Sequence, residues 1–398
     1  MPASALATRS PPAILSLGLR PFFLAGAIHA AAVVLVWAPW FLGFVSIPSA
    51  LPPLAWHAHE LLFGFVPAIV AGFLLTAVPS WTGRPPLRGA PLIGLLALWL
   101  VGRAAILLGE GQDAILVATA SLAFTAALAG FVAHEILRAK NRRNLKVVAV
   151  LVCLLAAQAL FHYEVARYGA SVLGDRTALA LVIVLVTIIA GRIVPAFTGN
   201  WIRRANPGRE PAPFGRVDGA AMALGAVALA GWAAAPALPF PEAALGALLV
   251  AAGAAHLVRQ ARWVPHRTLG EPLVAILHLG YLFVPIGFLL AGAAALGGLP
   301  GVAIGATHAW AVGAIGVMTL AVMTRASRGH TGRDLSADLP TILIYLAIVA
   351  AAAMRIAASV APQHTMLLVP GSAALWSLAY LGFAAVYGPM LWRPRVDG

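Results

Sequence analysis

Two histidines and a glutamate, His57, His59 and Glu60, open the stretch "LAWHAHELLFGFVPAIVAGFLLTAVPSWTGR" (54–84), which is otherwise apolar enough to cross a bilayer. Neutral imidazole is the commonest metal ligand and coordinates haem iron and copper well. A carboxylate beside it can orient a ligand ring by accepting its second N–H, or take up protons. On a helix two residues subtend roughly 200°, so His57 and His59 face different grooves. At most one of them is expected as an axial haem ligand. The other is left to a second metal, a propionate or water.

The chain has eleven histidines, and depth sorts them. At 1.5 Å of rise per residue, His57 and His59 lie about 12–15 Å outward from the middle of their span, and His308 and His162 about 8–9 Å outward in theirs. His308 stands in "ATHAWAVGAIGVMTLAVMTR" (306–325) and His162 in "AQALFHYEVARYG" (157–169). His29 and His278 fall nearer the midplane, on its inner side. Two axial histidines on facing helices can hold a haem on edge, and copper takes imidazoles from neighbouring helices. The metal candidates are therefore His57, His59, His162, His278 and His308. A lone intramembrane histidine such as His29 reads as a hydrogen-bonded packing residue. His134, His256 and His266 read as ordinary interface residues, His330 as a solvated loop residue, and His364 as part of an outer loop.

Charged groups inside spans need a partner or a purpose, because one at the centre of a span costs about 2.5–3.5 kcal/mol even on the gentler insertion scale. Arg103 lies near enough to the outer face to pair with a haem propionate. Arg192 in "AGRIVPAFTG" (190–199) either snorkels inward or makes the same kind of pair. Tyr281, one turn from His278, shares its helix face. The single cysteine, Cys153, excludes a disulfide framework and a thiolate metal cluster.

The elements that position these groups follow from composition. Only 10% of the residues are charged, against about 25% in soluble domains, so the chain is an all-α integral membrane protein with the lipid bilayer as its first partner. About 20 apolar residues span the hydrocarbon. That places twelve transmembrane helices near 20–44, 56–79, 89–109, 114–138, 145–168, 174–200, 216–235, 241–261, 271–297, 301–326, 339–360 and 366–391. Residues 20–391 form one transmembrane domain, with cytoplasmic tails at 1–19 and 392–398.

The formal charge of +13 would point to nucleic acid in a soluble protein. Here arginine and lysine collect in alternate loops, as in "RAKNRRNLK" (138–146), so no nucleic-acid partner is expected. The positive-inside rule puts both termini in the cytoplasm. The inward ends of spans two, six and ten, "LLTAVPSWTGR" (74–84), "RIVPAFTGNWIRR" (192–204) and "LAVMTRASRGHTGR" (320–333), are weakly alike at a spacing of four spans. They suggest a threefold repeat of four-helix units, or only the usual ending of an inward helix.

Collinear motifs carry a resemblance. "WHAHELLFG" (56–64), "AGFLLTAVPSWTGR" (71–84), "GRIVPAFTGNW" (191–201), "HLGYLFVPIG" (278–287) and "HAWAVGAIGVMTLAVMTRASRGHTGR" (308–333) together resemble the NnrS family. The likeness runs from "LGLRPFFLAG" (17–26) to the last span. It implies a bacterial inner-membrane protein with twelve spans that contains haem, here expected to be b-type, and copper. It also implies a role in denitrification and in relief of nitric oxide and nitrosative stress. The motif histidines are then His57, His59, His278, His308 and His330. The architecture is also similar to the catalytic subunit of haem-copper oxidases, with twelve helices in three groups of four and a haem between helices two and ten. Span six (177–199) lacks the histidines of the oxidase copper site.

Two functions compete. One is a haem/copper protein that binds or processes nitric oxide or protects against nitrosative stress, with possible redox activity and an electron donor the sequence does not name. The other is a transporter for a metal, haem or small anion, favoured by prolines within spans such as Pro67, Pro195 and Pro285. A scaffold with a structural metal is the blandest reading.

Overall fold

A computed structural model describes residues 11–205 and 207–396. The expected tails fall partly outside the described residues. Twelve helices are long and apolar enough to cross a membrane: α1 (Leu19–Phe41), α2 (Pro53–Thr82), α3 (Ala90–Leu107), α4 (Ala114–Arg138), α5 (Arg142–Tyr168), α6 (Leu173–Ala205), α7 (Arg216–Ala234), α8 (Glu242–Ala261), α9 (Pro272–Gly297), α10 (Pro300–His330), α11 (Leu339–Val360) and α12 (Pro362–Trp392). No strand occurs among the described residues, as expected where every backbone group must be satisfied within its own segment.

Local chemistry sets the helix ends. Pro52 and Pro53 start α2, where a missing N–H costs nothing. Asp113 caps α4 by accepting from the amides of Ile115 at 2.9 Å and Leu116 at 3.0 Å. Gly83, at φ 70°, closes α2 in the left-handed conformation. The short links 109–113 and 237–243 do separate distinct helices, so the paired spans on either side of each stand as predicted.

The helices pack as a continuous succession, each against its neighbours in sequence and the last against the first, and the expected division into three groups of four does not stand out in it. Helix α1 lies between α2 and α12, and α12 packs on α11. From α3 to α11 the helices follow one another in space as in sequence, and α4 also packs on α2. The helices α2, α6 and α10 meet around a central cavity that takes residues such as Phe73, Ile189 and Met318 from all three. Arg20 joins the two ends of the chain, donating to the carbonyls of Leu391 at 2.9 Å and Arg393 at 2.7 Å. Those carbonyls end a helix and have no partner within it.

Two of the three central helices are not regular. A π-helical segment runs over Glu60–Phe65 in α2 and another over Ala309–Val317 in α10, each directly after a histidine, His59 and His308. Such segments widen the turn, rotate the residues that follow and free carbonyls for outside donors. The indole N–H of Trp99 takes the Gly64 carbonyl at 2.9 Å, and Tyr380 takes that of Gly316 at 3.2 Å.

Candidate functional site

A cavity of about 270 Å³ lies between α2, α6, α10 and α11, at the ends of these helices away from the chain termini. His57 and His308 both line it, from facing helices. His57 is held by Trp37, whose ring lies 4.2 Å away, centroid to centroid, and its Nδ1 is buried with no hydrogen-bond partner. His308 donates from Nδ1 to the carbonyl of Ile304, one turn back, at 2.8 Å. A carbonyl only accepts, so the proton is on Nδ1 and the Nε2 lone pair is left free. This is the arrangement of a metal-binding imidazole fixed through its other nitrogen.

The same cavity receives two arginines. Arg176 donates to the carbonyl of Trp232 at 3.1 Å and lies 5.0 Å over its ring. Arg355 is half-buried and has no acidic or hydrogen-bonding partner among the described residues. Glu164 holds this corner together. It is buried in α5 and accepts from the amides of Val172 at 3.2 Å, Leu173 at 3.1 Å and Gly174 at 2.8 Å. It thereby pins the first turn of α6 and puts Arg176 beside the cavity. Asp175 also lines the cavity, with Oδ1 buried and without a partner among the described residues, and the rest of the wall is largely apolar, with Leu61, Phe65 and Trp376 among it. A half-buried cation in such a wall favours an anionic ligand group.

His59 points elsewhere, as the angle around α2 requires. It donates from Nδ1 to Oε1 of Glu60 at 2.9 Å and accepts at Nε2 from Ser121 at 3.0 Å. Ser121 in turn accepts from Gln158 at 3.0 Å, and Gln158 accepts from Thr125 at 2.8 Å. Glu60 is also reached by Arg103 at 2.7 Å and by His29 at 3.1 Å. His29, expected as a hydrogen-bonded packing residue, has Glu60 as its partner, and Arg103, expected to pair with a haem propionate, meets a protein carboxylate. His162 adjoins this network with its ring centroid 5.0 Å from that of His59, and its Nε2 is buried without a partner. Gly64 makes the convergence possible, because a Cβ there would stand 2.5 Å from Nη1 of Arg103 and 2.8 Å from Nε2 of His29.

The other candidates are apart from both clusters. His278 contacts Thr198 at 2.8 Å through Nε2 and lines a separate cavity with Gln260 and Tyr345. Arg192 lines the central cavity and a basic one beyond it, toward the termini. His330 is exposed at the end of α10. His256, expected at an interface, is instead buried, 2.7 Å from the hydroxyl of Tyr281 and stacked on Phe288. Among the described residues no three or more His, Cys, Asp or Glu side chains converge to hold a metal ion.

Sequence reasoning missed Arg176, Arg355, Glu164 and the Ser121–Gln158 pair. Arg355 had a signal: it is a lone cation in the apolar run "AIVAAAAMRIAASV" (347–360). Ser121 and Gln158 had none, since uncharged polar residues are common in spans.

The profile of the NnrS protein family matches residues 13–395. Neither a curated protein nor a solved structure matches the chain significantly.

Proposed function

This chain belongs to the NnrS family, and from that premise we propose that it is a membrane protein of the nitric-oxide response that holds a b-type haem between His57 and His308. The observation that carries this reading is the pair of imidazoles from facing helices in one apolar cavity, beside the unpartnered Arg355. The donor set would suit the group: His57 and His308 would hold it through neutral imidazoles, and Arg176 and Arg355 would pair with its propionates. With both imidazoles bound the iron would have no open position and would suit electron transfer; nitric oxide would bind only where one of the two imidazoles lets go.

The chain's own residues do the rest. Trp37 and the Ile304 carbonyl hold the two rings in place, and the largely apolar wall offers water few partners in the space between them. Glu60 and its three partners brace the π-helical segment of α2 that follows His57 and His59. Among the described residues no three His, Cys, Asp or Glu side chains converge as copper ligands would. The arginine-rich loops support cytoplasmic termini by the positive-inside rule, and in the bacterial inner membrane that orientation would turn the cavity toward the periplasm.

The test is the absorbance of the purified protein, oxidised and reduced, before and after nitric oxide. A haem band that shifts with nitric oxide and disappears in both His57→Ala and His308→Ala supports the assignment. A haem-free preparation, or spectra unchanged in both variants, overturns it.

One observation favours the second reading, a transporter. The cavity with His57 abuts the central one at Val66 and Ile315, and the central one abuts the basic cavity at Ile188 and Arg192. Cavities therefore follow one another along the helices. Concentrative uptake of a metal, haem or small anion by proteoliposomes of the haem-free protein would establish it, and its absence would remove it.

A further inference from the structure

The basic cavity at the termini-bearing end carries an inference that goes beyond both functional readings. Its volume is about 690 Å³, and Arg143, Lys146, Arg192, Arg203 and Arg259 all line it. These side chains come from α5, α6 and α8, elements that are distant in sequence. Glu210 is the only acidic side chain in the lining among the described residues, and it is taken by Arg203 at 2.5 Å. Arg143, Lys146 and Arg192 are exposed and have no acidic partner among the described residues. Lys146 stands within electrostatic range of both Arg143 and Arg192. Like charges held this close raise one another's energy unless an anion lies between them.

A second observation comes from the floor of the cavity. Arg259 is fully buried. Its Nε donates to Asp218 at 3.3 Å, and its Nη1 donates to the Thr187 carbonyl at 3.1 Å and to Tyr281 at 2.9 Å. Its Nη2 is buried and has no partner among the described residues. That nitrogen lies against the backbone of Gly191, where an added Cβ would be 1.9 Å away. Glycine alone admits it, and Gly191 lines the same cavity. A guanidinium fixed by three hydrogen bonds through two of its nitrogens, with the third nitrogen free, carries an orphaned donor that a buried site would ordinarily satisfy.

We propose that this cavity binds a phosphate group, with the free nitrogen of Arg259 at its base and Arg143, Lys146 and Arg192 at its mouth. Guanidinium groups match phosphate oxygens in geometry as well as charge, and a point-charge lysine completes such sites. The position at the helix ends allows two sources of the same chemistry: the headgroup of an anionic phospholipid or a free phosphate compound from the aqueous side.

The experiment uses the full chain purified in neutral detergent. Binding of phosphatidylglycerol, of phosphatidylcholine and of inorganic pyrophosphate is followed by native mass spectrometry and by thermal shift. The double variant Lys146→Ala/Arg192→Ala is compared with the parent, and Arg143→Gln serves as an independent variant on the preceding turn. Selective binding of phosphatidylglycerol that weakens at least tenfold in the double variant identifies a lipid headgroup site. The same loss seen with pyrophosphate identifies a free phosphate site. The proposal is overturned if neither probe binds more tightly than phosphatidylcholine, or if the double variant and Arg143→Gln both bind like the parent.

Discussion

Arg103 donates from Nη1 to Oε1 of Glu60 at 2.7 Å, in a place where the two side chains are only 10% and 2% exposed. A buried ion pair adds little over an apolar pair of the same volume, but breaking one by removing a single partner leaves a charge stranded. Arg103→Met should therefore cost about 3–5 kcal/mol of stability, read as the unfolding midpoint in detergent. The double variant Arg103→Met/Glu60→Gln should recover part of that loss, since the stranded carboxylate is gone. Equal midpoints for Arg103→Met and the parent protein would show that the pair does not bear on stability.

Gly64 is the second place to probe the same cluster. A methyl group there would meet Arg103 at 2.5 Å and His29 at 2.8 Å, and both are held by Glu60. Gly64→Ala should destabilise by about 1–3 kcal/mol, as overpacking does in a filled interior. A midpoint unchanged within error would mean that the arginine and histidine have room to retreat.

Arg355 offers a test of ligand retention that leaves both imidazoles in place. Losing one charge-assisted hydrogen bond is worth about 1.5–3 kcal/mol, so Arg355→Ala should weaken haem binding roughly tenfold or more. Titration of haem into the apoprotein reads this directly. An affinity equal to that of the parent would take Arg355 out of the site.

Asp338 sets a dependence on pH at the start of α11. Burial pushes its carboxyl upward, but hydrogen bonds from Thr341 and the charge of Arg328 outweigh it and hold the group below its ordinary value. A depressed carboxylate contributes stability that is fully present above its unfolded value, about 4, and is lost as pH falls through the folded one. Asp338→Ala should cost about 1 kcal/mol at neutral pH, the usual worth of an N-cap, and progressively less in acid. A cost that stays constant down to pH 3 would contradict this.

The expectation of twelve spans and the helix boundaries found agree closely: the predicted 114–138 and 339–360 coincide with α4 and α11. Hydropathy over twenty residues is a long signal, and the lack of water in lipid leaves the backbone a single solution. The angular separation of His57 and His59 was legible too, because helical geometry alone turns them to different grooves.

What the histidines face was not legible. Nothing in "WHAHELLFG" says that His59 meets Ser121 and Glu60, or that His57 shares a cavity with His308 and Arg355. Those pairings depend on two π-helical segments that rotate α2 and α10, and on Glu164 pinning α6 eight to ten residues further along the chain. His256 shows the same limit: near the end of its span it looks like an interface residue, yet α9 covers it with Tyr281 and Phe288. The sequence by itself determined the family, the number of helices and the residue types able to bind a metal or an anion, because each of these rests on local composition and pattern. Only the tertiary structure decided which of them meet, because rotation and packing of helices are settled by contacts between segments far apart in the chain.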